Sequence, residues 1–211
     1  MSKKERLSEF NRKNILETTK RLFLKKGITQ TTMDDIAREA EYSKSTVYVY
    51  FKSKDEIYNH IILEYIGILK TCISKALTSS RGFPDGYFAV CGALVDFYNT
   101  YPLYFESILD EIKIPKDESE TVLTQIYEVG EEINLIIEDY IKACISKKQI
   151  RTVLNPLQAT FTIWAALSGI ITLANKKEAY INKAMKITKE EFMRNGFELL
   201  LESITDGGST Q

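Results

Sequence analysis

Residue types that carry most enzyme chemistry are scarce in this chain of 211 residues. It has one histidine, His60, and three cysteines that stand far apart instead of in CxxC pairs. Metal sites and acid–base sites need clusters of such side chains, and the sequence also has no glycine-rich phosphate loop. We therefore expect no catalytic residues, no bound metal and no cofactor. The enzyme alternative that stays open is an all-helical one using Cys91 or paired carboxylates.

An apolar leader is also missing. The N-terminal stretch MSKKERLSEFNRK is charged, so we expect neither a signal peptide nor a membrane anchor and place the protein in the cytoplasm. One run, LQATFTIWAALSGIITLA after Pro156, is apolar nearly all round and resembles a membrane span. Polar residues such as Gln158, Thr162 and Ser168 recur through it and no second span exists, so a buried helix is the preferred interpretation.

The charges that are present are distributed unevenly. The first 60 residues carry 13 Lys and Arg against 9 Asp and Glu, and the remainder carries 15 against 20. A basic N-terminal quarter is typical of a protein that binds a polyanion, although a solvated charged surface gives the same count.

Apolar residues recur at three- and four-residue spacings along most of the chain and predict an all-α fold of about nine helices. Capping boxes at Thr32 with Asp35, Ser53 with Glu56, and Thr188 with Glu191 mark three of the helix starts. Chain breaks are predicted at 79–86 and 114–117. The predicted helices cover about 12–26, 33–40, 44–51, 53–77, 87–100, 102–109, 119–146, 156–175 and 188–205.

The segment from Thr46 to Phe51 consists of residues that favour strands. A single strand would leave its backbone groups without partners, and no nearby segment alternates with period two. As a helix, the segment turns Val47 and Phe51 inward and leaves hydroxyls and two tyrosines exposed. Such a surface is unfavourable in water but suits contact with a nucleic-acid backbone.

The spacing of the second and third helices is that of a helix-turn-helix, with a turn at residues 41–43. The third helix would then enter the major groove of DNA. Its cation and hydroxyls would contact phosphates or base edges, and Val49 would contact a thymine methyl group. The residues expected to contact DNA on this argument are Lys44, Ser45, Thr46, Tyr48, Val49, Tyr50 and Lys54.

The stretch GITQTTMDDIAREAEYSKSTVYVYFKSKDEI, residues 27–57, resembles the DNA-binding domain of the TetR family of transcriptional regulators. The matching positions are the Thr31-Thr32 pair, Ile36-Ala37, Ser43, Thr46-Val47-Tyr48, Tyr50-Phe51, Lys52, Lys54 and Glu56. Thr31 and Thr32 therefore join the expected DNA contacts. One position departs from the family, because Glu41 stands where a glycine is usual. If that position needs a positive φ, the glutamate costs about 1 kcal/mol.

The resemblance implies an N-terminal three-helix helix-turn-helix domain at 1–58, a helical effector-binding and dimerisation domain at 59–206, and a disordered tail at 207–211. It also implies a homodimer whose interface is made by the last two helices. The homodimer binds a pseudo-palindromic operator on double-stranded DNA. A monomer in which those helices form an ordinary core stays open.

The expected behaviour is repression that is relieved when a small molecule, neutral or lipophilic, binds the C-terminal domain. The residues expected to line its pocket are aromatic, apart from one cysteine, and each also fits an ordinary core position: Tyr65, Tyr87, Cys91, Tyr98, Tyr101, Tyr104, Phe105, Tyr127 and Trp164. The alternative function is a helical protein-binding adaptor that keeps the head domain without binding DNA.

Overall fold

The structure is a computed structural model that describes residues 2–109, 121–151 and 154–205. These ranges contain ten α-helices and no strand, which confirms the all-α fold class. The predicted break at 114–117, the start of the predicted helix at 119 and the predicted tail at 207–211 lie outside the described residues. The helices are α1 (Lys3–Lys26), α2 (Met33–Glu39), α3 (Lys44–Tyr50), α4 (Lys54–Thr78), α5 (Phe83–Thr100), α6 (Pro102–Ile108), α7 (Val122–Ser146), α8 (Pro156–Lys176), α9 (Glu178–Met185) and α10 (Lys189–Ile204).

The chain divides into two compact units, and both α4 and α7 contribute residues to each. The predicted division of the chain after residue 58 stays a prediction. The described parts of the first unit are 2–65 and 121–127, and those of the second are 66–109, 128–151 and 154–205.

The first unit is built around a small core of aliphatic and aromatic side chains from α1 to α4. Ile15, Ile36, Val47 and Ile57 are fully buried there. The predicted start of α1 near residue 12 was wrong, because the helix begins nine residues earlier, at Lys3. Its first turn is held by a capping box in which Ser2 Oγ accepts a hydrogen bond from the Glu5 N–H and the Glu5 carboxylate accepts one from the Ser2 N–H.

The second unit is a bundle in which small residues allow helices to approach closely. A side chain at Gly86 of α5 would overlap Tyr140 of α7, whose hydroxyl donates to the Gly82 and Phe83 carbonyls at 3.0 Å. A Cβ at Gly196 of α10 would lie 3.1 Å from Ile170 of α8, so α10 packs tightly on α8. The sequence prediction placed the start of α5 at residue 87, whereas it begins at Phe83.

Helix α8 is long and apolar enough to cross a membrane by length and composition. Such evidence is weak, because core helices and interface helices of soluble proteins have the same composition. Only 33% of its most apolar 18-residue stretch is buried within the chain. The side chains left exposed form an outer stripe that includes Phe161, Ala165, Gly169 and Leu173.

Candidate nucleic-acid interface

Helix α3 is short, and tertiary contacts rather than helix propensity hold it in place. Ser43 is its N-cap, with Oγ accepting a hydrogen bond from the Thr46 N–H at 3.1 Å. Val47 is fully buried and Phe51 nearly so, four residues apart on one side of the helix. The prediction of a helix over this run of strand-favouring residues is confirmed, because these two side chains anchor the segment to the core.

The opposite side of α3 faces solvent. Val49 is 78% exposed and Tyr48 is 46% exposed, and Lys44 and Ser45 are exposed beside them. The Lys44 Nζ lies 2.8 Å from Asp34 Oδ1 of α2, and this hydrogen bond raises the pKa of the lysine, which is therefore a cation. A cation, several hydroxyls and apolar groups on one exposed face are the groups that contact DNA phosphates and base edges.

The turn between α2 and α3 contains the position at which the sequence departs from the family pattern. Glu41 has φ of 60°, in the left-handed region that favours glycine. The Tyr42 N–H donates to the Ala37 carbonyl at 2.9 Å and closes the end of α2. Glu41 thus adopts the positive φ that a glycine would adopt at this position.

Two residues expected to contact DNA donate hydrogen bonds to backbone carbonyls within the head instead. Thr31 is 1% exposed, and its hydroxyl donates to the Gly27 carbonyl at 2.8 Å. The Lys54 Nζ donates to the Ile28 carbonyl at 2.9 Å and so ties the start of α4 to the turn after α1. Sequence reasoning assigned these side chains to DNA because it could not see the backbone carbonyls beside them, and neither belongs to the exposed face of α3.

Thr32 is exposed at the start of α2, where it forms the predicted capping box with Asp35. Its Oγ accepts a hydrogen bond from the Asp35 N–H at 3.1 Å, and Asp35 accepts one from the Thr32 N–H at 3.0 Å. A hydrogen bond from Lys26, together with those from Thr32, holds the pKa of Asp35 well below its usual range. The carboxylate therefore stays charged and fixes α2 to the end of α1.

Sequence reasoning missed a set of contacts from α1 to the turn before α3 and to the C-terminal end of α3. Asn11 Nδ2 donates to the Tyr50 hydroxyl, and Asn11 Oδ1 accepts from the Tyr42 hydroxyl, both at 2.9 Å. Arg12 Nη1 donates to the Tyr50 carbonyl at 3.1 Å. These residues lie 31 to 39 positions apart in sequence, and no periodic pattern marks them.

A family model described as "Bacterial regulatory proteins, tetR family" matches residues 15–61, which include all of α2 and α3. The chain belongs to the TetR family. It is a transcriptional regulator with a helix-turn-helix DNA-binding head.

Relatives agree with this assignment. An uncharacterized HTH-type transcriptional regulator of Bacillus subtilis, YhgD, is 27% identical over 162 residues, which is 77% of this chain and 81% of YhgD. A protein of unknown function from Rhodococcus sp. RHA1 has the same fold, with a TM-score of 0.75 and 15% identity over 93% of this chain and 96% of its own. The transcriptional regulator FadR from Bacillus subtilis, solved with stearoyl-CoA, has a TM-score of 0.65 and 18% identity over 90% of this chain and 98% of its own.

The second unit of this TetR-family regulator contains a small cavity among α4, α5, α7 and α8. Its volume is about 30 Å³, which is room for a water molecule or two and not for an effector. The side chains around it are almost all apolar: Leu77, Phe83, Tyr87, Val90, Ile137, Tyr140, Ile141, Ile163 and Leu167.

A larger groove runs along the second unit between α4 and α5. Its volume is about 710 Å³, within the range of small-molecule sites. Small and apolar side chains, including Ala76, Gly92 and Phe97, line much of it, and Lys75 and Asp96 add charge. Sequence reasoning had no signal for it, because it arises where two helices present small residues to each other.

The structure does not bring the nine residues predicted to bind ligand into one pocket. Of the nine, only Tyr87 lines the small cavity and only Tyr101 lines the groove. Tyr65 is buried in the first unit, and Tyr127 is exposed. Trp164 is half-buried and lines neither space.

The remaining predicted pocket residues are core residues of the second unit. Tyr104 and Phe105 are buried, and the Tyr98 ring packs edge-on against Phe105 with centroids 5.2 Å apart. The Tyr87 hydroxyl donates to the Phe197 carbonyl at 2.9 Å. Burial raises the pKa of Cys91 to about 12, so that thiol stays protonated.

Proposed function

We propose that this TetR-family regulator is a repressor that binds a pseudo-palindromic operator as a homodimer and releases it when a small molecule binds the second unit. The observation that carries the proposal is the exposed face of α3, which presents Tyr48 and Val49 on a helix whose other side is anchored in the core by the buried Val47 and Phe51. Rigid support of exposed contact groups is what a reading helix requires.

The proposed DNA contacts divide into two kinds. Val49 and Thr46 would contact base edges, and the Lys44 cation and the hydroxyls of Ser45, Tyr48 and Tyr50 would contact phosphates. Thr32, exposed at the start of α2, would contact a phosphate as well. Thr31 and Lys54 are left out, because the backbone carbonyls of the head already hold their polar groups.

The outer stripe of α8 supports the proposed dimer. Phe161 and Leu173 are each about half exposed there, and Leu199 on the neighbouring α10 is 69% exposed. Ala165 and Gly169, between the two larger residues, leave space for a close helix crossing. An apolar surface of this kind is typical of an interface, and a two-fold axis would pair the stripe with itself.

We place the effector in the groove between α4 and α5, because its volume of about 710 Å³ is sufficient for one and the predicted pocket residue Tyr101 lines it. Helix α4 supplies Ile68, Cys72 and Ala76 to the groove and continues into the head. A ligand that moves α4 would therefore change the position of this helix in the head that binds DNA. FadR was solved with stearoyl-CoA, so long-chain acyl-CoA is our first probe for release of bound DNA.

Replacing Tyr48 with phenylalanine tests the DNA-binding proposal. Loss of one hydroxyl hydrogen bond to a phosphate should weaken binding about 2- to 12-fold, which corresponds to about 0.5–1.5 kcal/mol. The measurement is fluorescence anisotropy with a duplex from upstream of the protein's own gene, at fixed salt. Tyr180→Phe is the matched control, because Tyr180 is an exposed tyrosine on α9 of the second unit. Equal affinities for the two variants would count against α3 as the reading helix.

A further inference from the structure

Four residues of the head form a cluster around one guanidinium group, and we call them the Arg12 cluster: Arg12, Tyr50, Phe51 and His60. Arg12 Nη1 donates to the Tyr50 carbonyl at 3.1 Å, and Arg12 Nη2 lies 2.6 Å from His60 Nε2. The guanidinium carbon lies 4.4 Å from the centre of the Phe51 ring, and Phe51 packs edge-on against His60 at 5.6 Å. The cluster thus joins α1, the end of α3 and α4.

The hydrogen bond between Arg12 and His60 fixes the state of the imidazole. A guanidinium has donors only, so His60 Nε2 must be the acceptor and the ring must be neutral, with its proton on Nδ1. A protonated ring has no acceptor and would place a second cation beside Arg12. Protonation and this contact therefore exclude each other.

The proposed function requires α3 to be held at one orientation on the head. Arg12 holds its last carbonyl, and His60 in turn holds Arg12. We propose that Arg12 and His60 are positioning residues for helix α3, and that protonation of His60 frees Arg12, loosens the C-terminal end of α3 and weakens DNA binding. This inference rests on the proposed function, because it assigns pH dependence to the same reading helix.

The charged groups around His60 shift its pKa in opposite directions. Burial and then the Arg12 cation of α1 lower the pKa of His60, whereas Glu56, one turn earlier on α4, raises it, and the net shift is downward. From α3 the cluster receives the uncharged carbonyl of Tyr50 and the ring of Phe51. Since the folded head favours the neutral ring, its stability is fully present above a pH of about 6.5 and falls as the pH drops below that value.

His60 is the only histidine in the chain, so its ring resonances can be observed without overlap. We expect nuclear magnetic resonance of the full-length protein, labelled in histidine, to give a proton on Nδ1 and a pKa below 6.5 without DNA. The backbone amide signals of Tyr50 and Phe51 should shift with the same midpoint and should not shift in this range in His60→Gln. Amide signals that stay fixed while the imidazole titrates would overturn the proposal, and this result does not depend on DNA binding.

The second measurement compares DNA dissociation constants at pH 5.5 and pH 7.5, at constant salt and with the upstream duplex. Glutamine offers an acceptor to Arg12 but does not titrate. The ratio of the dissociation constant at pH 5.5 to that at pH 7.5 should be several-fold larger for the wild type than for His60→Gln, and less than about tenfold, because an imidazole with a pKa below 6.5 is only partly protonated at pH 5.5. Arg12→Lys, which keeps the charge but loses the fork that reaches two acceptors, should also have the smaller ratio. Equal ratios for the three proteins would contradict the proposal, whereas absence of binding at pH 7.5 would contradict the proposed function instead.

Discussion

The Ala165→Glu variant is expected to bind the upstream duplex about 10²- to 10⁴-fold more weakly than the wild type, because a monomer loses the gain from two linked reading heads. Ala165 is exposed in the middle of the outer stripe of α8. In a symmetric dimer formed by this stripe, a glutamate there would be buried near its own copy. Burying two like charges without partners opposes association strongly.

Analytical ultracentrifugation of the same protein should detect a monomer at micromolar concentration, and anisotropy should give the loss of affinity. Ala143→Glu is the control, since it makes the same change at an exposed position on α7. It should remain a dimer with wild-type affinity. If Ala165→Glu behaves like this control in both measurements, the dimer does not form through α8.

The second large effect is expected at Phe51, the aromatic residue that follows α3. Phe51 is 1% exposed, and the Arg12 guanidinium and the His60 ring both pack on it. Phe51→Ala should lower the free energy of unfolding of the head by about 3–5 kcal/mol, because it leaves a cavity and removes those contacts. Urea unfolding gives the size of the loss, and hydrogen exchange of the α3 amides locates it.

Val49→Ala serves as the comparison for stability, since Val49 is the neighbouring apolar residue on the opposite, exposed side of α3. Its unfolding free energy should change by no more than about 0.5 kcal/mol. A Phe51→Ala head as stable as Val49→Ala would mean that tertiary contacts do not hold α3 in place.

The elements with strong periodic patterns were predictable from the sequence. The three predicted capping positions mark real helix starts, with Ser53 Oγ accepting from the Glu56 N–H and Thr188 Oγ from the Glu191 N–H, both at 3.1 Å. The reciprocal hydrogen bond of a capping box forms at Thr32 and Thr188, whereas the Glu56 carboxylate accepts from the Lys52 N–H. Helix α9 was missed, because Ile181 is its one buried residue and too few apolar positions remain to make a pattern. The early start of α1 was missed for a similar reason, since residues 3–11 are not buried.

The candidate sites were less predictable, because side-chain partners distant in sequence decide them. The exposed face of α3 follows from the inward spacing of Val47 and Phe51, which the sequence displays. The roles of Thr31 and Lys54 depend on carbonyls at Gly27 and Ile28. No sequence pattern marks such carbonyls. Aromatic residues such as Tyr98 and Phe105 have the same sequence pattern whether they line a pocket or pack in the core.

Photocrosslinking from α3 tests most directly whether this helix contacts DNA. A benzophenone amino acid placed at Val49 should crosslink to the upstream duplex on irradiation, and unlabelled duplex of the same sequence should compete. The same group at Leu24, an apolar position on α1 of the head that is 69% exposed, should give little crosslink. A duplex that still binds but crosslinks from position 24 and not from position 49 would contradict the assignment of α3 as the DNA-reading helix.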